Sequence, residues 1–238
     1  MLNIRLSSRT ICNASNTDFT KSILHGRMMS YRKPIFLTAD WHCFHKKAIE
    51  FDNRPFKDIH HMHRVLVNNY NASVPTYGIC YFVGDMGLAS YETLGKIVHE
   101  LNGTKVLILG NHDKKINAMY RVGFDVVVYG LVLYVASERV TISHCPLKEV
   151  WREDLSHIKN SKDDNWHGES RPKHTCLTFT DEGQFHIHGH IHSRKDKKQS
   201  QKILGRQLDI GITANNYRPV SISEIESWIT LTKRSYHE

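Results

Sequence analysis

Nowhere in the 238 residues does an apolar run approach the roughly 20 residues that cross a bilayer as a helix. The nearest, residues 126–136, is split by Gly130 into two strand-like pieces, so no membrane partner is expected. Cysteine is sparse. The five present (Cys12, Cys43, Cys80, Cys145 and Cys176) form no C-x-x-C pair, which excludes a disulfide framework and a zinc ribbon and points to a reducing cytoplasm. There is no internal repeat and no low-complexity tract. What remains, at 40% hydrophobic residues, is the composition of one ordinary globular domain.

The formal charge is +8, and its distribution matters more than its size. Residues 1–33 hold Arg5, Arg9, Lys21, Arg27, Arg32 and Lys33 against Asp18 alone, and so contribute +5, leaving the body at only +3. This N-terminal stretch has the Ser- and Arg-rich composition of a transit peptide but no secretory apolar core. We expect a flexible basic extension, with Met28 and Met29 just before the first strand. The domain proper is expected over 34–238.

From Pro34 onward, short apolar, β-rich runs end in polar clusters. Strands are predicted at 35–39, 79–83, 106–109, 140–143 and 185–188, and amphipathic helices at 59–70 and 91–101. Strands alternating with helices predict an α/β layered domain. The short turns joining 126–128, 131–135 and 139–143 predict that these form an antiparallel second sheet. Residues 146–183 break the pattern, with mixed charge, several histidines and two tryptophans. They read as a long surface excursion.

Seventeen histidines raise the expectation of metal chemistry, and the strand ends locate it. Ligands collect at the carboxyl ends of strands, and five clusters stand there: Asp40-x-His42, Gly84-Asp85, Gly110-Asn111-His112-Asp113, His144, and Gly189-His190-x-His192. An Asp-x-His is expected about once by chance in this composition, and a second one, Asp58-x-His60, does occur. That copy opens a predicted helix, so it and His61 and His63 read as a solvated or capping face. A specific Gly-Asn-His-Asp string is expected only about 0.003 times. The glycine before each ligand lets the backbone bend sharply or approach closely.

These residues resemble the signature of the calcineurin-like metallophosphoesterase superfamily, over residues 35–222. The similarity is greatest to its small bacterial and phage members, which share Asp40-x-His42-x-x-His45, Asn53-Arg54-Pro55-Phe56, Ser143-His144-x-Pro146-Leu147 and Asn216-Tyr217-Arg218-Pro219-Val220. The resemblance implies a single-domain, four-layer α-β-β-α sandwich with a binuclear metal site that hydrolyses phosphate esters. It assigns Asp40, His42 and His192 to one cation, Asn111, His144 and His190 to the other, and Asp85 to a bridge. Carboxylate and imidazole donors suit two divalent cations, manganese first, with iron, nickel or zinc compatible with the same set. His112 is not a ligand in that pattern. It is expected to protonate the leaving oxygen, oriented by a carboxylate for which Asp113 is the candidate in the sequence.

Other residues carry weaker expectations. His45 either lines the pocket or packs beneath its loop. Arg54 and Arg218, each before a proline in a turn, read as backbone ties more readily than as phosphate grips, and Cys43 and Cys145 read as buried structural thiols. His186 and His188 share one strand face and read as satisfied core histidines. The expected substrate is a small phosphomono- or phosphodiester such as a nucleotide. The alternatives are a metal-dependent nuclease, for which Arg194, Lys195, Lys197, Lys198, Lys202 and Arg206 are the basic track, and a non-catalytic metal-binding scaffold. Nucleic acid is not favoured, because the body is nearly balanced in charge.

Overall fold

The structure is a computed structural model, and it describes residues 33–147, 177–194 and 203–235. Most of the expected basic extension and of the surface excursion, and the lysines of the proposed basic track, lie outside the described residues. Among the described residues, two five-stranded mixed sheets and five α-helices make up an α/β architecture. No helix among the described residues is long and apolar enough to cross a membrane.

The first sheet joins β1 (Ile35–Thr38), β2 (Ile79–Val83), β3 (Thr104–Ile108) and β4 (Val126–Val128) in parallel. Strand β10 (Val220–Ser221) adds antiparallel to β1 at the other edge. The second sheet is built from β5 (Leu131–Val135), β6 (Glu138–Ile142), β7 (Phe185–His188), β8 (Ile203–Leu204) and β9 (Gln207–Asp209), in the order β5-β6-β7-β9-β8.

Two sequence expectations are corrected here. Val126–Val128 is not in the second sheet but pairs in parallel with β3. The second sheet is not antiparallel throughout, because β7 runs parallel to both β6 and β9.

Strand β2 shows why the central strands read as unbroken apolar runs. Successive side chains point to opposite faces. Cys80 and Phe82 enter one core with Met62, Leu66 and Tyr70, while Tyr81 and Val83 enter another with Leu133, Ile142 and Ile187. The first core holds α2 (Ile59–Ser73), α3 (Tyr91–Val98) and α4 (Ile116–Val122) on the outer face of the first sheet. The second lies between the sheets and is joined by Ile225, Trp228 and Ile229 of α5 (Ile222–Ser235). A strand buried on both faces has no polar side to show in its sequence.

Helix boundaries follow local chemistry. Asp58 caps α2 by accepting the backbone N–H of His61 at 2.7 Å, the capping role expected for it. Ser90 caps α3 in the same way, through the N–H of Thr93. His63, expected on a solvated face, is buried instead, and its Nε2 accepts the backbone N–H of Phe44 at 3.0 Å. The short α1 (Lys46–Phe51) follows the first ligand cluster.

Candidate metal centre

All five clusters converge at one end of the two sheets. The loops after β1 and β2 are zipped together: Asp40 donates its N–H to Gly84 O at 3.1 Å, and His42 donates to Asp85 O at 3.0 Å. Five of the seven expected ligands sit in the left-handed backbone region, with φ of 58° at Asp40, 49° at His42, 57° at Asp85, 70° at His190 and 48° at His192. Each such residue costs about 1 kcal/mol or more, so a fold keeps them only where the surrounding structure forces the turn. Side chains leaving strand ends in this way are turned back into one pocket.

One group consists of Asp40, His42 and His192. Nε2 of His42 lies 3.0 Å from Nε2 of His192, which is 3.6 Å from Asp40 Oδ1. A second consists of Asn111, His144 and His190. Asn111 Oδ1 is 3.0 Å from His144 Nε2 and 2.9 Å from His190 Nδ1. Asp85 stands between them, its Oδ2 3.6 Å from His42 Nε2 and 3.3 Å from His144 Nε2. The ligating atoms of Asp40, His42 and His192 fall within 4.8 Å of one another, and so do those of Asp40, Asp85 and His144. Both groups are of a size and composition to hold a metal ion.

The donors are also oriented. His144 donates Nδ1–H to Val83 O at 2.8 Å, which turns Nε2 toward Asn111, His190 and Asp85. The backbone N–H of His190 is 3.0 Å from Asp40 Oδ2, and that of His112 is 2.9 Å from Asp85 Oδ1, so each carboxylate is steered by a neighbouring ligand loop. The glycines are required by close approach: a Cβ on Gly110 would collide with Asp85 Oδ1, and one on Gly189 would lie 2.5 Å from Asp40 Oδ2.

Burial sets the protonation of the imidazoles. It holds His42 well below the usual histidine range and lowers His190 to about 3, so both are neutral donors. At His144 burial is outweighed by the Asp85 and Asp40 carboxylates, and the imidazole is raised well above its ordinary value. At His192 burial is again outweighed, by Asp40 and Asp52, and the value rises to about 10. Burial alone would raise Asp85, but His144, His42 and His112 hold it below the carboxylate range. Protons are thus favoured on the two imidazoles that face carboxylates, His144 and His192, and not on Asp85.

His112 stands at the rim. Its Nε2 is 3.9 Å from Asp85 Oδ2, and its ring is 5.4 Å from that of His42. Asp113 does not orient it, contrary to expectation. The Asp113 carboxylate is turned inward and accepts the backbone N–H groups of Asp85, Met86 and Gly110 at 2.8 to 2.9 Å.

Arg54 is a backbone tie: it donates to Asp40 O and Trp41 O at 3.0 and 2.9 Å and to Asp52. Arg218 pairs with Glu224 on α5, away from the pocket. The His45 ring lies 5.6 Å from that of His42, tilted by 59° to it. Cys43 is buried as expected, but Cys145 is only half-buried. His186 bonds Thr141 Oγ1 and Cys145 O, and His188 bonds Gly189 O, as satisfied core histidines do.

The sequence reading missed one residue of this site. Asp52 lies against His192, with Oδ1 and Oδ2 at 2.9 and 2.8 Å from Nδ1. Its signal was at hand, since it immediately precedes the Asn53-Arg54-Pro55-Phe56 run, but an acidic residue after a short helix has many bland explanations.

No protein-family model matches the chain. The chain is similar to an uncharacterized protein of Methanocaldococcus jannaschii, at 28% identity over 200 residues, covering 83% of this chain and 91% of the relative. It is also similar to the Gene 66 protein of Mycobacterium phage L5, at 29% identity over 193 residues, covering 75% of this chain and 86% of the relative. Among solved structures, a protein of unknown function from Aquifex aeolicus aligns with a TM-score of 0.58 and 21% identity over 83% of this chain and all of the other, which is a likeness of fold.

Proposed function

We propose that this chain is a two-metal phosphoesterase with the four-layer α-β-β-α form, acting on small phosphate mono- or diesters such as nucleotides. The observation that carries the reading is the position of Asp85 Oδ2, between His42 Nε2 at 3.6 Å and His144 Nε2 at 3.3 Å, with a neutral or carboxylate oxygen donor in each flanking group. Such a set fits two divalent cations, manganese first. The donor tautomers fit as well, since His144 and His192 have Nδ1 engaged elsewhere and present Nε2.

Two divalent cations, when bound, supply the Lewis acidity that activates water and neutralises phosphoryl charge. The chain's own residues do the rest. Asp40, Asp85 and Asn111 set the charge of the pocket, and Asn111 keeps it from becoming too negative for an anionic substrate. His112, at the rim and more accessible than His42 or His144, donates a proton to the leaving oxygen. Of the basic stretch after His192, Arg194 donates to Phe51 O and Arg206 to Gly183 O, and the small-ester reading rests on the nearly balanced charge of the body.

Asp85→Asn tests the reading directly. Manganese-loaded wild type is expected to hydrolyse a bis-nitrophenyl phosphate and to lose that activity to a chelator, while the variant loses metal and activity together. Two tightly held metals by elemental analysis, with near-normal turnover in the variant, would refute the ligand assignment.

A further inference from the structure

The two groups of donors are supported unequally. His144 and His192 each use Nδ1 for a supporting hydrogen bond, but the acceptors differ. His144 donates to a neutral carbonyl, Val83 O, at 2.8 Å. His192 meets the buried carboxylate of Asp52, at 2.8 and 2.9 Å. Asp52 is held in turn by Arg54, whose Nη2 and Nε donate to its Oδ2 at 2.7 and 2.9 Å, and by Thr213 Oγ1 at 3.5 Å. The remaining donors of the same guanidinium clamp Asp40 O and Trp41 O. One buried pair, Asp52 with Arg54, therefore fixes the loop that carries Asp40 and His42 and also fixes His192, which lies 140 residues further along the chain.

Charge is unequal in the same direction. In the ligand assignment proposed above both groups share Asp85 and lie near Asp40, but Asp40 Oδ1 stands closer to His192 Nε2, at 3.6 Å, than to His144, whose Nδ1 is 4.0 Å away and already bonded to Val83 O. The oxygen donor special to the His144–His190 group is the neutral amide of Asn111. A carboxylate behind an imidazole raises its basicity as a ligand, and loss of such a partner typically weakens metal affinity by about 10- to 100-fold.

Resting on the two-metal reading above, we propose that Asp52 is a positioning residue that makes the Asp40–His42–His192 site the tighter of the two, so that it fills first and the Asn111–His144–His190 site fills second. Asp52 touches no reacting atom. It acts through His192, holding the proton on Nδ1 and leaving Nε2 to the metal.

The test is a manganese titration of metal-free wild type and of Asp52→Asn, followed by calorimetry and by the electron paramagnetic resonance of the bound ion. Wild type is expected to bind in two resolved steps, giving an isolated-ion spectrum at one equivalent and a coupled spectrum at two. In Asp52→Asn the first step should weaken by about 10- to 100-fold while the second changes little, so that the steps merge. Two unchanged steps in the variant would overturn the proposal, and so would weakening of the second step alone.

A second measurement does not depend on the variant folding. In zinc-loaded wild type with 15N-labelled histidine, His192 should carry its proton on Nδ1 and its metal on Nε2, and the reverse arrangement would refute the proposal. Failure of the parent reading has a different signature, because wild type would then bind no second metal at all.

Discussion

Asp113 follows His112 by one residue yet serves another part of the pocket. It gives its two oxygens to three backbone N–H groups, from Asp85, Met86 and Gly110, and so shapes two ligand loops at once. Asp113→Ala would leave those groups buried without that acceptor, and we expect a loss of about 3 kcal/mol, read as a lowered urea midpoint. A variant as stable as wild type would show that the carboxylate is dispensable. His112→Ala should behave differently: fold and metal content are kept while turnover falls by about 10² to 10⁴. The fall should be smaller for a nitrophenyl ester than for an alkyl ester, since a good leaving group needs little protonation, and equal slowing would remove His112 from the acid role. The expected ligands could be read from sequence because each sits in a short string at a strand end. Asp52 and His63 could not, because what they do depends on partners 140 and 19 residues away.

Strand β4 shows the same limit for whole elements. Only Tyr129 and Gly130 separate it from β5, a spacing that reads as a hairpin, yet the chain changes sheets there and β4 pairs with β3. Parallel pairing leaves no local mark, whereas the strand–turn–ligand order of β1, β2, β3, β6 and β7 does. Helix α2 offers a test of its own anchoring. Burial lowers His63 to about 4 from an ordinary 6.5, and in its neutral form it accepts the N–H of Phe44. Between those values the unfolded chain binds a proton that the folded chain does not. The contribution of His63 is therefore complete above about pH 6.5 and is lost as pH falls toward about 4. His186 on β7, lowered by burial to about 3, adds to the slope in the same direction. Urea midpoints measured from neutral to acid pH should fall less steeply in His63→Gln, which keeps an acceptor but does not titrate. Parallel curves for the two proteins would contradict this assignment.

Across the molecule, the expected donors come from both sheets: Asp40, His42, Asp85 and Asn111 follow strands of the first, and His144, His190 and His192 follow strands of the second. Ions bound there would join the sheets at the end where their loops meet. Because the unfolded chain has no such site, saturating metal should stabilise the fold, by about 2.7 kcal/mol at a hundredfold excess over Kd. A thermal scan with manganese and then with chelator measures this as a reversible shift in Tm. An identical Tm in the two conditions would mean that the sheets are not bridged. That β2 is covered on both faces was legible in its unbroken apolar run, but what covers each face was not, and which loops meet was legible only through the strings at the strand ends.

The five left-handed residues have a consequence for any attempt to improve this protein. At about 1 kcal/mol each, they amount to about 5 kcal/mol, against a net stability of about 5 to 15 kcal/mol for a typical domain. Asp40, His42, Asp85, His190 and His192 are thus among the positions, with Phe44, Ala136, Ser137 and Tyr217, where glycine, free of the Cβ clash, relieves backbone strain. A laboratory selection that rewarded heat resistance alone, in metal-free medium, would be drawn toward these positions and would erase the pocket while hardening the scaffold around it. Supplying the metal during selection would reverse that pressure, since the same five residues would then hold the ligand that stabilises the fold.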